Sequence, residues 1–114
     1  MTEAMHLIAD LTCFKGADDA QAVEEFMREA IEQTGLTIRH FHIEAFKNGS
    51  SFGPGVTGIA LLAESHMVVH TAPERHALNL DLFSCKPFSA AQLKRIIWRS
   101  FGRCRTQRWE ILHR

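Results

Sequence analysis

Two segments of the chain show the spacing of apolar residues that is typical of amphipathic helices. The first is predicted to begin after Asp18 or Asp19, either of which can cap a helix N-terminus, and to end at Gly35. The second is predicted to begin after Ser89 and to end at Gly102. The apolar stripe of the first helix comprises Ala22, Val23, Phe26, Met27, Ala30 and Ile31, and that of the second comprises Leu93, Ile96, Ile97 and Phe101.

Six other segments are predicted to be β-strands, because they are short and apolar or alternate between apolar and polar residues. They span residues 6–11, 36–46, 56–63, 67–71, 77–83 and 106–112. In the second of these, alternate residues are predicted to face the core and to face away from it. The inward set is Arg39, Phe41, Ile43 and Ala45, and the outward set is Ile38, His40, His42 and Glu44. Residues 47–55 form a glycine-rich loop, which is either a lid or a plain connection.

The order of these elements predicts the fold class. Strands outnumber helices, and several connections are short enough for hairpins, which favours neighbouring antiparallel strands. We therefore predict an α+β two-layer sandwich, in which both helices pack on one face of a mainly antiparallel sheet. The whole chain, residues 1–114, is predicted to form one domain.

Composition and charge narrow the classes of partner. The formal net charge is zero and the isoelectric point is near 7.1, which argues against nucleic acid or an anionic membrane as a partner. No apolar run approaches the ~20 residues that span a bilayer, and the N-terminal segment lacks the features of a signal peptide. Three widely spaced cysteines argue against a disulfide framework and suit a reducing compartment, so we predict a cytoplasmic protein.

Histidines near the middle of the chain raise the possibility of a metal site. His66 and His70 are four residues apart, with Glu64 close by. This spacing brings two imidazoles together on a helix, but it separates them by ~13 Å on a strand, which is the predicted local structure. His40 and His42 share a strand face, but no cysteine or carboxylate stands at the usual zinc spacing. We therefore predict no metal.

A hydrolase with a serine or cysteine nucleophile is a second possibility. Ser65 lacks the flanking glycines of a nucleophile elbow. Cys85 could form a thiolate pair with His70, but a cysteine at the end of a strand is more often a buried, inert thiol. Neither arrangement is favoured by the sequence alone.

Self-cleavage before a serine is the third possibility and the one that we prefer. Ser65 follows Glu64, and its hydroxyl could attack the carbonyl carbon of Glu64 and convert the amide into an ester. Removal of the serine α-proton would then eliminate the ester, and hydrolysis of the resulting dehydroalanine would leave a pyruvoyl group. Such a ketone forms a Schiff base with an amino acid and acts as an electron sink for decarboxylation. Cys85 could be the general acid that this reaction requires.

Four motifs support this third possibility, because they occur in the order and spacing found in one enzyme family. They span residues 55–58, 63–66, 70–74 and 81–85. The chain resembles prokaryotic S-adenosylmethionine decarboxylase proenzymes from residue 6 to the end of the second predicted helix. The resemblance implies a pyruvoyl-dependent enzyme with a small-molecule substrate, S-adenosylmethionine, and a role in spermidine and polyamine synthesis. It also implies a homodimer of sandwich protomers with active sites at or near the interface.

The resemblance also implies a role for particular residues. It makes Ser65 the precursor of the pyruvoyl group and the bond between Glu64 and Ser65 the processing site, which would divide the chain into residues 1–64 and 65–114. His70 matches a histidine that assists processing. Cys85 matches the catalytic proton donor, and Glu74 matches a glutamate that accepts hydrogen bonds from the ribose hydroxyls of the substrate. Thr57, at a position where the family commonly has serine, is also linked to processing.

The chain departs from the family where aromatic residues are expected. Ala72 replaces a tryptophan, and residues 75–79 replace a segment that is richer in aromatic residues. Aromatic faces bind sulfonium cations and adenine well, so these differences affect substrate choice more than cleavage. A pyruvoyl decarboxylase that acts on ornithine or arginine is therefore the alternative function, followed by a non-catalytic interaction module of the same fold. The aromatic residues that could replace the missing face are Phe46, Phe52 and Phe83.

Overall fold

The computed structural model describes residues 4–47 and 53–114 and contains two α-helices and six strands within them. Most of the predicted glycine-rich loop, including Phe52, lies outside the described residues. The helices are α1, Ala20–Gln33, and α2, Ala90–Phe101. The strands are β1, Met5–Thr12; β2, Ile38–Phe46; β3, Gly55–Leu62; β4, Ser65–Ala72; β5, Ala77–Ser84; and β6, Arg105–His113.

The six strands form one antiparallel sheet in the order β2-β3-β4-β5-β1-β6. Strand β1 therefore lies between two strands from the second half of the chain. Together with the two helices, this sheet confirms the predicted α+β sandwich.

Both helices contribute to one core on one face of the sheet, as predicted. The side chain of Asp19 caps α1 by accepting hydrogen bonds from backbone N–H groups of the first turn, and Ser89 caps α2 through the N–H of Gln92. Phe26 of α1 and Phe101 of α2 pack edge to face, with ring centroids 5.2 Å apart. The predicted apolar stripes are therefore the surfaces through which the helices join the core.

The other face of the sheet, which we call the open face, carries no layer of described residues. Its side chains lie in rows across the strands, because each strand alternates between the two faces. One row near the start of β4 consists of His40, Leu61, His66, Phe83, His6 and Leu112. Another row, four residues further along β4, consists of Glu44, Thr57, His70, Asn79, Asp10 and Arg108.

Strand β2 differs from its predicted pattern at one end. The register between β2 and β3 shifts between Ile38 and His40, so Ile38 packs against the core instead of facing away with His40. A bulge of this kind inserts an extra residue and reverses the alternation of side chains. The predictions for Ile38 and for Arg39, which is exposed, are therefore wrong. Phe41 and Ile43 pack against the core and Glu44 lies on the open face, as predicted.

The cysteine spacing argues against a disulfide framework, but the structure contains one disulfide. Cys13 and Cys104 are bonded to each other, although 91 positions separate them, and Cys85 is the free cysteine. Sequence spacing did not show this pair because it depends on the pairing of β1 with β6, which places Thr12 beside Arg105. The cysteine content therefore no longer supports a reducing compartment. Within the described residues, no helix is long and apolar enough to cross a membrane.

Candidate active site

Ser65 and Cys85 meet where β4 begins and β5 has just ended. The Ser65 hydroxyl oxygen lies 3.7 Å from the Cys85 sulfur, and Cys85 is exposed, not buried as an inert core thiol would be. The backbone N–H of Cys85 donates a hydrogen bond of 2.9 Å to the carbonyl oxygen of Glu64. That carbonyl belongs to the peptide bond between Glu64 and Ser65. Cys85 thus contacts this bond through its backbone and the serine hydroxyl through its side chain.

The backbone at Ser65 is strained. Leu62 pairs with Ser65 in the β3–β4 hairpin, so only two residues, Ala63 and Glu64, turn the chain. Ser65 has a φ of 154°, a conformation that residues other than glycine rarely adopt. Strain at the residue that follows the Glu64 carbonyl favours reactions that break this peptide bond.

The Glu64 side chain is held by Thr37, which precedes β2. Its carboxylate accepts hydrogen bonds from the backbone N–H of Thr37 at 3.0 Å and from the Thr37 hydroxyl at 3.2 Å. The backbone N–H of Ala63 also donates to the Thr37 carbonyl at 2.9 Å. The Thr37 backbone hydrogen bond is the main cause of a lowered pKa for Glu64, and the positive charge of Lys86 lowers this pKa further. Thr37 therefore fixes the hairpin turn.

Thr57 and His70 form a second pair on the open face. Residue 57 lies opposite residue 70 in the β3–β4 ladder, and the Thr57 hydroxyl oxygen is 2.8 Å from Nδ1 of His70. When Nδ1–H of His70 donates to the Thr57 hydroxyl oxygen, the imidazole ring is oriented and Nε2 is the nitrogen that can accept a proton. His70 is exposed, so another molecule can approach this nitrogen.

Two glycines in the segment 55–58 allow close packing around this pair. A Cβ at Gly55 would lie only 2.4 Å from the backbone oxygen of Thr71, and a Cβ at Gly58 would lie 2.4 Å from the sulfur of Met27. Both distances are shorter than any normal contact with a Cβ. The clash at Gly55 is with backbone, so glycine is required there for β3 to approach β4, whereas a side chain at Gly58 would have to displace the ends of the Met27 and Ile43 side chains.

A cavity of about 450 Å³ lies beside Thr57 and His70. Its walls include Phe46, Ala72 and Arg75, so it is largely apolar with one cation. Ala72 begins a short turn, Pro73–Arg75, which also presents Glu74 to solvent. Glu74 and Arg75 have no hydrogen-bond partner among the described residues. Both side chains are exposed.

The structure brings the predicted site residues together in two separate groups. Ser65 and Cys85 are in contact, and Thr57 and His70 are in contact. Ser65 and His70, however, are five residues apart on the same strand, which corresponds to about 16 Å. The Cys85–His70 pair that we weighed for a hydrolase does not form within one chain.

Sequence reasoning missed three features of the site. Thr37 is 27 residues from the carboxylate that it holds, and no local pattern connects the two residues. The sequence offers Phe46 only as one of several aromatic residues, because its place in the cavity wall depends on the β2–β3 register. The Cys85 N–H donates a hydrogen bond to the Glu64 carbonyl. This contact is made by the backbone, so the type of side chain at position 85 does not indicate it.

Comparison with known proteins connects this fold and this sequence to a class of enzyme. An adenosylmethionine decarboxylase from Aquifex aeolicus VF5 has a similar crystal structure, with a TM-score of 0.76, 26% identity, and coverage of 99% of this chain and 89% of that one. An S-adenosylmethionine decarboxylase proenzyme from Thermomicrobium roseum is 34% identical over 94% of this chain and 87% of its own length. A proenzyme of the same name from Archaeoglobus fulgidus is 40% identical over 75% of this chain and 73% of its own length.

These similarities identify the chain as a decarboxylase, an enzyme of the carboxy-lyase class. The family model described as S-adenosylmethionine decarboxylase matches residues 5–113, which is nearly the whole chain. The chain therefore belongs to the S-adenosylmethionine decarboxylase family, and the resemblance inferred from the four motifs is confirmed.

Proposed function

We propose that this chain is a proenzyme that cleaves itself between Glu64 and Ser65 and then decarboxylates S-adenosylmethionine. The observation that carries the proposal is the position of the Glu64 carbonyl. Its oxygen accepts a hydrogen bond from the Cys85 N–H, and the residue that follows it, Ser65, is strained and carries a hydroxyl. The product, decarboxylated S-adenosylmethionine, would serve polyamine synthesis.

Cleavage begins with attack of the Ser65 hydroxyl oxygen on the Glu64 carbonyl carbon. The C–N bond breaks, and the acyl group moves from nitrogen to oxygen to give an ester. The negative charge that develops on the carbonyl oxygen is stabilised by the Cys85 N–H, as in an oxyanion hole. The unfavourable φ of Ser65 raises the energy of the uncleaved chain and favours the same step.

The second step requires a base. Loss of the Ser65 α-proton expels the Glu64 carboxylate, leaves dehydroalanine at position 65 and breaks the chain. One water then replaces the nitrogen, which leaves as ammonia, so the second piece starts with a pyruvoyl group. We assign the base to Nε2 of His70, whose Nδ1 is hydrogen-bonded to Thr57.

The pyruvoyl group, derived from Ser65, supplies an electron sink for the decarboxylation of an amino acid. The residues present fit this group, because a serine precursor, a polarised carbonyl and a thiol lie together. The Cys85 thiol is 3.7 Å from the Ser65 hydroxyl and is exposed, so it is close enough to return a proton to the substrate carbon that loses carbon dioxide.

We propose that His70 acts on the Ser65 of a second copy, because about 16 Å separate these residues within one chain. The open face offers the contact surface. It exposes the large apolar residues Ile59 and Leu61 on β3 and Leu112 on β6, with exposed fractions of 43%, 52% and 44%. Val68 is midway between His66 and His70 on β4. If two open faces pack about a two-fold axis near Val68, the row that contains His70 therefore lies over the partner's row that contains His66, which is next to Ser65. A homodimer of cleaved protomers would then have two complete sites.

The cavity beside His70 is where we place the substrate. In the dimer this cavity would adjoin the partner's Ser65, so a bound amino acid would reach the reactive group. The Phe46 ring in the cavity wall offers a face to adenine or to the sulfonium. Glu74, which has no partner among the described residues, would accept hydrogen bonds from the ribose hydroxyls.

The small side chain of Ala72 in the cavity wall favours a different substrate. It removes an aromatic wall from the cavity, and a pyruvoyl decarboxylase for ornithine or arginine would not require that wall. This alternative keeps the same cleavage and the same roles for Ser65, His70 and Cys85.

The test has two parts. Intact mass under denaturing, reducing conditions should show two pieces that divide at Glu64–Ser65, the second with a ketone in place of its amine. Release of carbon dioxide should then be measured with S-adenosylmethionine, ornithine and arginine in parallel. A chain that remains whole after long incubation would contradict the proposal and favour the interaction module, whereas turnover of ornithine or arginine alone would establish the alternative substrate.

A further inference from the structure

We propose that the Cys13–Cys104 disulfide covalently joins the two pieces of the cleaved enzyme. This inference rests on the proposed cleavage. Cys13 belongs to the piece 1–64 and Cys104 belongs to the piece 65–114, so the bond crosses the division. Cleavage at Glu64–Ser65 would therefore convert an intrachain disulfide into an interchain one.

The position of the bond suits this role. Cys13 directly follows β1, Cys104 directly precedes β6, and Thr12 pairs with Arg105 at the adjacent end of the β1–β6 ladder. The Cα atoms of the two cysteines are 4.5 Å apart, within the range that a disulfide spans. Cys13 is 1% exposed and Cys104 is 8% exposed, so reductants in solution have little access to the bond in the folded protein.

The disulfide joins elements that would otherwise be held only by non-covalent contacts after cleavage. Among the described residues, strand β6 is an edge strand that pairs with β1 alone, and β1 would belong to the other piece. The N–H of Cys13 also donates a hydrogen bond of 2.7 Å to the His76 carbonyl, at the end of the turn that carries Glu74. Because the bond keeps the two pieces in one molecule, their association becomes independent of protein concentration.

The redox chemistry involves two electrons. Formation of the bond removes one hydrogen from each of the thiols of Cys13 and Cys104, and a disulfide-bearing oxidant accepts both electrons by thiol–disulfide exchange. A dithiol reverses the reaction and is itself oxidised to a disulfide. Cys85 remains a thiol throughout and lies in the same piece as Cys104.

The experiment compares cleaved protein with and without reductant. The protein is denatured in N-ethylmaleimide, which blocks exchange, and its intact mass is measured before and after treatment with dithiothreitol. Without reductant we expect one species that contains both pieces and a single maleimide, on Cys85. With reductant we expect two separate pieces. A tryptic digest of the unreduced sample should yield a linked peptide pair that contains Cys13 and Cys104.

Two variants serve as controls. Cys104→Ser should give two pieces with or without reductant, because its remaining cysteines offer no native bond between the pieces. Ser65→Ala should give one whole chain under both conditions. If a serine variant does not fold, the comparison of reduced with unreduced wild-type protein still decides the question.

The outcomes separate this proposal from the proposed cleavage. Two pieces from the unreduced wild-type protein would overturn the disulfide link and leave the cleavage intact. A linked peptide that contains Cys85 in place of Cys104 would also overturn it. A wild-type chain that stays whole in reductant would refute the cleavage and the link together, and the maleimide count would still report whether the cysteines are bonded.

Discussion

His70 lies on the same strand as Ser65 but five residues further along, about 16 Å away. It is instead hydrogen-bonded to Thr57 on the neighbouring strand, at 2.8 Å. A rigid strand cannot bring these two groups together, so a base at His70 can serve only a serine from another chain. Under the roles proposed for Ser65 and His70, cleavage would therefore require a second copy of the chain.

Mixing two inactive variants tests this link. Ser65→Ala has no serine to react and His70→Ala has no base, so each should remain uncut alone. In a mixed dimer, His70 of the Ser65→Ala chain would face Ser65 of the His70→Ala chain. We expect the His70→Ala chains to be cleaved only after the two proteins are unfolded and refolded together, as measured by intact mass under reducing conditions.

A double variant provides the matched control. Ser65→Ala/His70→Ala refolded with His70→Ala supplies no histidine, so no chain should be cut. If His70→Ala cleaves as quickly alone as in the mixture, action across two chains is refuted.

The local pattern predicted most elements of this fold well. The alternation of residues 77–83 and the caps Asp19 and Ser89 are properties of short segments, and the structure confirms each of them. The helix stripe that includes Phe26 is confirmed for the same reason, since burial of one helix face depends on spacing within the helix.

The errors and omissions depend on contacts between distant segments. Ile38 is displaced by a bulge that only the β2–β3 pairing produces, and the bond between Cys13 and Cys104 follows from the pairing of β1 with β6. Ser65 and His70 are only five residues apart in the sequence, yet strand geometry separates them by about 16 Å within the chain. Proximity in the sequence therefore does not show whether two residues are close in space, because that depends on the fold.

Substitution of Cys85 should separate cleavage from turnover. The backbone N–H of residue 85 contacts the Glu64 carbonyl, and it is retained in Cys85→Ala, so we expect cleavage to proceed. Loss of the thiol should lower kcat for decarboxylation by about 10²- to 10⁴-fold, the usual contribution of a general acid. The fraction of cut chain and the release of carbon dioxide are measured on the same sample. Full turnover in Cys85→Ala would exclude the thiol as proton donor.

Substitution of Thr57 tests the orientation of His70. Thr57→Val keeps the shape of the side chain but removes the hydroxyl that lies 2.8 Å from Nδ1. We expect cleavage to slow by about tenfold, which corresponds to the loss of one hydrogen bond of about 1.4 kcal/mol. Thr57→Ser, which retains the hydroxyl, should cleave at close to the wild-type rate. Equal rates for the valine and serine variants would show that the hydroxyl has no part in cleavage.

The pH dependence of stability should report the contact between Glu64 and Thr37. The Thr37 N–H lowers the pKa of Glu64 below its ordinary value of 4.5, so near that pH the unfolded chain binds more protons than the folded one. The stabilisation is therefore complete above about pH 4.5 and is lost as the pH falls through the lowered pKa. We expect Glu64→Gln in the uncleavable Ser65→Ala background to reduce the free energy of unfolding at pH 7 by about 0.5–1 kcal/mol, a small value because the contact is exposed.

Below the lowered pKa this difference should vanish, because a protonated glutamate and a glutamine are then alike in charge. Chemical denaturation of Ser65→Ala and Ser65→Ala/Glu64→Gln at one protein concentration, from pH 7 down to pH 3, measures both free energies. Since every other carboxyl group is common to the two proteins, their difference isolates Glu64 from general acid denaturation. A difference that stays constant across this range would mean that the charge of Glu64 does not stabilise the hairpin turn.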